Sequence, residues 1–238
     1  MSLTRVKDLS SATKLTVDTN TLHADETNNR VGVGTASPSQ RLHVEGAGNQ
    51  FILINNSSTN DGMYLKAGSG ASSIQTNAGS NVLNFFTSGT ERMEIDSNGH
   101  IRKFSQPSFR AGTTSGYATG ASPTTVVCSN VQHNIGNGYN SSNGTYTVPS
   151  PGTWLFGVHG NARDVGSSQA SSVYAQIMKN GSRMAIYYNS DEPNSSWHQI
   201  QGVIILECST NDAITFSSGP YTYWDSSMWT QFYGYLLG

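Results

Sequence analysis

Gly144-Thr145-Tyr146-Thr147-Val148-Pro149-Ser150-Pro151-Gly152-Thr153-Trp154-Leu155-Phe156-Gly157-Val158-His159-Gly160 sets the architecture of the second half of this chain. Its first five residues alternate with the period of a β-strand, and Pro149-Ser150-Pro151-Gly152 then reverses the chain. The alternation resumes at Thr153. The pattern repeats on either side. Thr125-Val126-Val127-Cys128 reads as a strand, and Asn137-Gly138-Tyr139-Asn140 as a tight turn. Downstream, Val173-Tyr174-Ala175-Gln176-Ile177-Met178-Lys179 runs into Asn180-Gly181, the strongest short-range hairpin signal. Residues 197–208 form a long strand with Gly202 in its middle, and Asn211-Asp212 turns into Ala213-Ile214-Thr215-Phe216. The last strand carries Phe232, Gly234 and Leu236 in one register and Tyr233, Tyr235 and Leu237 in the other. Apolar or aromatic residues on both faces predict burial on both sides, one against a sandwich core and one against a neighbouring subunit. Residues 103–125, punctuated by Pro107, Gly112, Gly116, Gly120 and Pro123, read as a boundary zone.

The first hundred residues have a different texture. Asn28-Asn29-Arg30-Val31-Gly32-Val33-Gly34-Thr35 runs into Arg41-Leu42-His43-Val44, with Ser37-Pro38-Ser39 as the turn between them and Leu42 and Val44 facing inward. Gly32 and Gly34 imply close backbone approach or a bend. A related phrase, Thr90-Glu91-Arg92-Met93-Glu94-Ile95-Asp96-Ser97-Asn98-Gly99-His100-Ile101, closes the region. Between and before these lie Lys14-Leu15-Thr16-Val17-Asp18, Phe51-Ile52-Leu53-Ile54, Met63-Tyr64-Leu65-Lys66 and Val82-Leu83-Asn84-Phe85-Phe86, with a loop over 57–61. None of these pieces owns enough apolar surface for a core. Successive turns of one chain would have to stack, or identical chains would have to supply the missing faces. The spacing is irregular, which favours a trimeric winding around a shared axis over an intrachain solenoid or a self-contained small sheet.

Composition narrows the function. The chain has 238 residues, 12% of them charged, with a net charge of -2. Nothing here neutralises a phosphate backbone, so nucleic acid is excluded as a partner. No apolar run is long enough to span a bilayer, and Met1-Ser2-Leu3-Thr4-Arg5 leads into no signal peptide. Eleven Tyr, eight Phe and four Trp argue for packing, not disorder. Cys128 and Cys208 read as buried thiols on strands, with a disulfide as the alternative; they make no metal site. Gly32-Val33-Gly34 lacks the Lys-Ser/Thr of a phosphate loop. His23, His43 and His100 are isolated strand or turn residues. The carboxylates of the second half are Asp164, Asp191, Glu192, Glu207, Asp212 and Asp225. Asp191-Glu192-Pro193 and Asp212 read as solvated turns, and Glu207 as facing solvent or an interface. Neither two carboxylates across a cleft nor a nucleophile motif is apparent, so the chain is not read as an enzyme. No cofactor is implied.

In sequence order, Phe109-Arg110-Ala111, Asn137-Gly138-Tyr139-Asn140 followed by the quoted stretch from Gly144 to Phe156, Lys179-Asn180-Gly181, Gln201-Gly202-Val203-Ile204-Ile205-Leu206, Asn211-Asp212-Ala213-Ile214 and Phe232-Tyr233-Gly234-Tyr235-Leu236-Leu237 resemble the trimeric jelly-roll head shared by complement C1q and the tumour necrosis factor group. The resemblance covers about residues 105–238. No acidic run announces the calcium site that some members carry, and calcium stays open. The phrase at residues 30–35, Ser37-Pro38 and Leu42-His43-Val44 resembles the shaft pattern of phage tail fibres. Together the resemblances imply an all-β protein: an N-terminal trimeric β-rich fibre shaft and virion-attachment region over 1–102, and a C-terminal C1q/TNF-like jelly-roll head over 103–238. They imply a homotrimeric phage tail-fibre or receptor-binding protein, located in the virion tail. It would join other tail or baseplate proteins through its N-terminus and attach to a host surface glycan or outer-membrane protein. The alternatives are a purely structural spike or decoration protein, and a glycan-degrading tailspike.

Recognition is usually grafted onto the loops at the end of a rigid sandwich. Two stretches, residues 187–198 and Gly219-Pro220-Tyr221-Thr222-Tyr223-Trp224-Asp225, mix aromatics with polar residues. Aromatic faces stack on sugar rings while polar groups take the hydroxyls. Tyr188, Trp197, Tyr221, Tyr223, Trp224 and Asp225 are therefore the expected receptor-binding residues. Trp229 reads as either core or trimer contact.

Overall fold

Short alternating segments broken by Asn and Gly fold as short strands, and the computed structural model is built from them throughout the residues it describes. These are 16–17, 21–48, 50–56, 61–68, 72–77, 82–165, 173–189 and 197–238. The expectations for Lys14-Leu15, for residues 57–60 and for Asp191-Glu192-Pro193 lie outside them. The chain divides into two units, Met1–Arg102 and Lys103–Gly238.

In the first unit, β1 (Thr16–Val17), β2 (Leu22–Asp25), β3 (Arg30–Val33) and β4 (Leu42–Val44) form one sheet in that order. β5 (Gln50–Asn56), β6 (Asp61–Ala67) and β7 (Ser73–Asn77) form an antiparallel meander. β8 (Leu83–Thr87), β9 (Thr90–Ile95) and β10 (Ile101–Arg102) form a third sheet. β3 and β4 pair in parallel, with Val31 N–H donating to Arg41 O (2.8 Å) and Glu45 N–H to Val33 O (2.9 Å). The short return between them is held by Arg30, whose guanidinium donates to Pro38 O at 2.7 Å. Gly34 makes the turn at φ +81°, where an added Cβ would meet Glu45 O at 1.9 Å. The glycines of this phrase are thus there for close backbone approach. The second phrase turns on Asp96, whose Oδ1 accepts the N–H groups of Asn98 (2.8 Å) and His100 (3.0 Å). The His100 N–H bond, the main cause, holds that carboxyl below its ordinary range.

Among the described residues the first unit buries few large apolar side chains. Its buried side chains among the described residues include His23 and Thr35, whereas Val31, Val33, Leu42, Ile52, Met63, Leu65, Ile74, Phe85, Phe86 and Ile101 are exposed. Leu42, expected inward, is among the exposed ones. The strand is too short and its sheet too narrow to cover that face.

The second unit contains β11 (Ser108–Gly112), β12 (Tyr117–Ala118), β13 (Thr124–Thr125), β14 (Asn130–Ile135), β15 (Tyr139–Asn140), β16 (Thr145–Thr147), β17 (Gly152–Asp164), β18 (Val173–Lys179), β19 (Ser182–Asn189), β20 (His198–Cys208), β21 (Ala213–Ser218), β22 (Thr222–Trp224) and β23 (Gln231–Leu236). One sheet runs β14-β11-β23-β17-β20, with β22 and β12 extending it beside the far end of β17. The other runs β15-β16-β21-β18-β19, with β13 on β21. Residues 103–125, read as a boundary, therefore supply three strands of the sandwich. Val126 and Cys128 are buried as a strand would place them, but the ladder stops at Thr125. There the chain turns to the Tyr139 hydroxyl, which accepts from Cys128 N (3.2 Å) and donates to Cys128 O (3.0 Å).

The inward residues of both sheets form one aromatic core. Phe109 stacks on Tyr146 (centroids 4.3 Å) and Tyr139 (5.0 Å) and meets Phe232 edge-on (4.9 Å). Trp154, Phe156, Ile177, Ile214 and Phe216 are fully buried around them. Each large side chain removed from water contributes on the order of 2 kcal/mol. Cys128 and Cys208 are free, buried thiols, and burial pushes Cys128 up to about 12. In β23 the inward register holds Phe232 and Gly234. Tyr235 and Leu237 in the other register are exposed within the single chain, not covered by its own sheets.

Candidate functional site

β17 is long enough to carry two different faces. Its odd-numbered residues point away from the core, because successive side chains alternate. At its start these are Leu155 and Gly157; toward its end they are His159, Asn161 and Arg163. The register therefore builds an apolar patch at one end and a polar–aromatic patch at the other.

At the apolar end, Leu155 pairs with Ile205 on β20 and Tyr235 on β23, and Gly157 pairs with Val203 and Tyr233. Gly157 leaves room for the Tyr233 ring, which a Cβ there would meet at 2.3 Å. Val203 and Ile205 are 56% and 60% exposed. This is a contiguous apolar surface on the outer side of a sheet whose inner side is fully packed.

At the other end, Arg163 pairs in register with Tyr223 on β22. Trp197 immediately precedes β20, whose first rung sets His198 against Ala162. The result is a row across three chain segments: Tyr223, Arg163, Trp197. The guanidinium carbon lies 5.1 Å from the Trp197 ring centre and 5.2 Å from that of Tyr223. The two rings meet at 5.9 Å and 67°. A cation over two aromatic faces is held by their negative quadrupoles, and it fixes both rings. Trp197 is 47% exposed. One rung along, Asn161 pairs with Gln199 on the same face.

The six expected residues do not converge as a set. Trp197 and Tyr223 are brought together. Tyr221 is exposed close by in the chain, in the left-handed region at φ +50°, held by Tyr221 N–H to Gly120 O and Val165 N–H to Tyr221 O, both 2.8 Å. Asp225 joins β17 through its N–H to Asn161 O (2.9 Å), and its Oδ1 accepts the Ser226 N–H (2.7 Å). Tyr188 is exposed on β19 in the other sheet, and no ring contact joins it to the row among the described residues. Trp224 corrects the expectation of a surface ring. It is 0% exposed, packs edge-on against Phe216 (5.0 Å) and donates its indole N–H to Ser218 Oγ at 2.6 Å. The reason is strand parity: Tyr223 faces out from β22, so Trp224 faces in. Trp229 is exposed. Arg163 escaped the sequence reading. Counting parity along Gly152-to-Asp164 would have put it outside, beside Asn161 and His159.

Elsewhere, Asp212 is clamped at a turn by Lys179 Nζ (2.8 Å), Asn180 Nδ2 (2.7 Å) and Ser209 N–H (2.8 Å). These bonds, Lys179 first, bring its carboxyl down to about 2. Among the described residues no group of three His, Cys, Asp or Glu side chains is placed to hold a metal ion. No helix among the described residues is long and apolar enough to cross a membrane.

Two antiparallel sheets with this strand order define a jelly-roll sandwich. The chain belongs to the C1q family: the C1q domain model matches residues 108–237. Among solved structures it is similar to the globular domain of zebrafish complement 1qA protein, at 12% identity over 56% of this chain and 98% of that one, with a TM-score of 0.45. It is similar also to murine APRIL at pH 8.0 (12%, 56% and 99%, TM-score 0.44) and to Eiger TNF from S. frugiperda (8%, 56% and 93%, TM-score 0.43). No curated protein sequence matches the chain.

Proposed function

We propose that this chain is a homotrimeric receptor-binding protein of the phage tail-fibre type, whose C1q-like head attaches the virion to a glycan on the host surface. The observation that carries the binding reading is the exposed Trp197–Arg163–Tyr223 row on a rigid strand. Aromatic faces ordered in advance bind sugar rings without a large ordering cost. The trimer reading is supported by two apolar surfaces that the described residues leave open. One is the Leu155, Val203, Ile205 and Tyr235 face of the head; the other is the open groove of the first unit lined by Leu42, Ile52, Leu65 and Ile74. Exposed contiguous apolar patches of this kind mark association surfaces. The tail-fibre assignment, and with it the virion location and the N-terminal junction to other tail proteins, rests on the resemblance of residues 30–44 to fibre shafts.

The test is binding of the fluorescently labelled chain to a panel of intact Gram-negative strains and to an outer-membrane glycan array. At least one strain and one glycan should bind. Trp197→Ala should weaken that binding about tenfold, the loss expected for a stacked ring. A chain that binds no cell and no glycan would leave only an architectural role.

A further inference from the structure

Among the described residues Arg163 is a cation with no paired anion. Its Nε is buried without a hydrogen-bond partner among them. The neighbouring carboxylate, Asp164, alternates to the opposite face of β17 and is buried there. The two rings that hold the guanidinium supply π-density but no charge, and a half-buried cation is poorly served by that alone.

We propose that this row binds a carboxylate-bearing sugar: a pyranose ring stacked on Trp197, with its ring carboxylate paired to Arg163. The inference rests on the glycan reading above and narrows it to acidic glycans. Three features meet at one place. The guanidinium is planar and already oriented by Trp197 and Tyr223 at 5.1 and 5.2 Å, which suits the two-pronged geometry of a carboxylate. The exposed indole offers a stacking face for the sugar's C–H surface. Asn161 and Gln199, one rung along, bring amide donors and acceptors for hydroxyls to the same face. A carboxylate carried on the ring sits at the depth of the stacked ring, where the guanidinium is. A neutral sugar would stack equally well but bring the guanidinium no counter-charge. The near edge of the apolar patch, Gly157 beside Val203, lies six residues back along β17, or roughly 20 Å at strand spacing. Subunit association there and ligand binding at Arg163 are therefore separate events.

The experiment is titration calorimetry of the full chain at low salt with tetragalacturonate, tetramannuronate and α2,8-linked trisialic acid, each alongside its methyl ester. At least one acid should bind ten times or more tighter than its ester. Arg163→Lys, which keeps the charge and loses the fork, should weaken the acid about tenfold and change the ester less than twofold. Trp197→Ala should weaken both forms. The wild-type acid-to-ester comparison needs no variant and so does not depend on how a variant folds. Equal affinity for acid and ester overturns the acidic-sugar site and leaves the glycan reading standing. Binding to intact cells with no affinity for any of these acids overturns the site alone. No binding to cells, acids or esters brings down both.

Discussion

Trp224 and Trp197 are equally conspicuous in the sequence, and parity along two strands sends them to opposite fates. Trp224 fills the core with its indole N–H satisfied by Ser218, whereas Trp197 sits outside on Arg163. Trp224→Ala should therefore cost roughly 3–5 kcal/mol, the range for removing a large core aromatic, and Trp197→Ala less than about 1 kcal/mol. Urea denaturation of the two variants checks this; equal losses would contradict the placement. The aromatic-rich segments around both residues raised the expectation of a recognition region because Tyr and Trp lie among polar residues there. Which ring faced out was not legible. A strand of only Thr222–Trp224 is too short for its phase to show, and the phase comes from Arg163 pairing with Tyr223. Arg163 itself went unnoticed because a single Arg in an alternating strand looks like any solvated residue.

At the level of elements, the turns carried the strongest signals. Asn180 and Gly181 both have positive φ, 50° and 78°, as a two-residue hairpin of this kind requires. What the sequence concealed is that this turn is knitted to the next one. Asn180 Oδ1 accepts the Ala213 N–H at 2.8 Å, while Lys179 and Asn180 both hold Asp212, 32 positions further on in the case of Asn180. A contact so distant in sequence leaves no local mark. The Asp212 carboxyl is lowered in the folded chain, so its stabilisation is fully present above the ordinary carboxylate range near 3.8. It fades as pH falls from there through about 2. Asp212→Asn should destabilise the head by about 1–2 kcal/mol at pH 7, with the difference from wild type shrinking toward zero near pH 2. Denaturant midpoints measured across that range follow it; a pH-independent difference would remove the ion pair from the account. The Arg30-to-Val44 phrase was readable for the same reason as the hairpin. Gly34 at φ +81° and the Pro38 carbonyl held by Arg30 are local chemistry written in local residues.

For the whole molecule, the contrast between the units carries the argument. The second unit buries Trp154, Phe156, Phe216, Phe232 and their neighbours in one continuous core. Among the described residues the first exposes Leu42, Ile74, Phe86 and Ile101 and adds no side chain to that core. Sequence composition could show that shortage, since it is a matter of counting apolar residues per strand. It could not show the outer face of the head, because Val203 and Ile205 look like core residues until Leu155 and Gly157 fix the register beside them. On the proposed trimeric reading, additional copies of the chain cover both open surfaces. The most direct test is the mass of the intact chain in solution by light scattering at low micromolar concentration, together with hydrogen exchange over residues 21–102. Three 25.5 kDa chains per particle with protected N-terminal strands are expected. A lone chain whose N-terminal strands are equally protected would contradict the shared core on which the account depends.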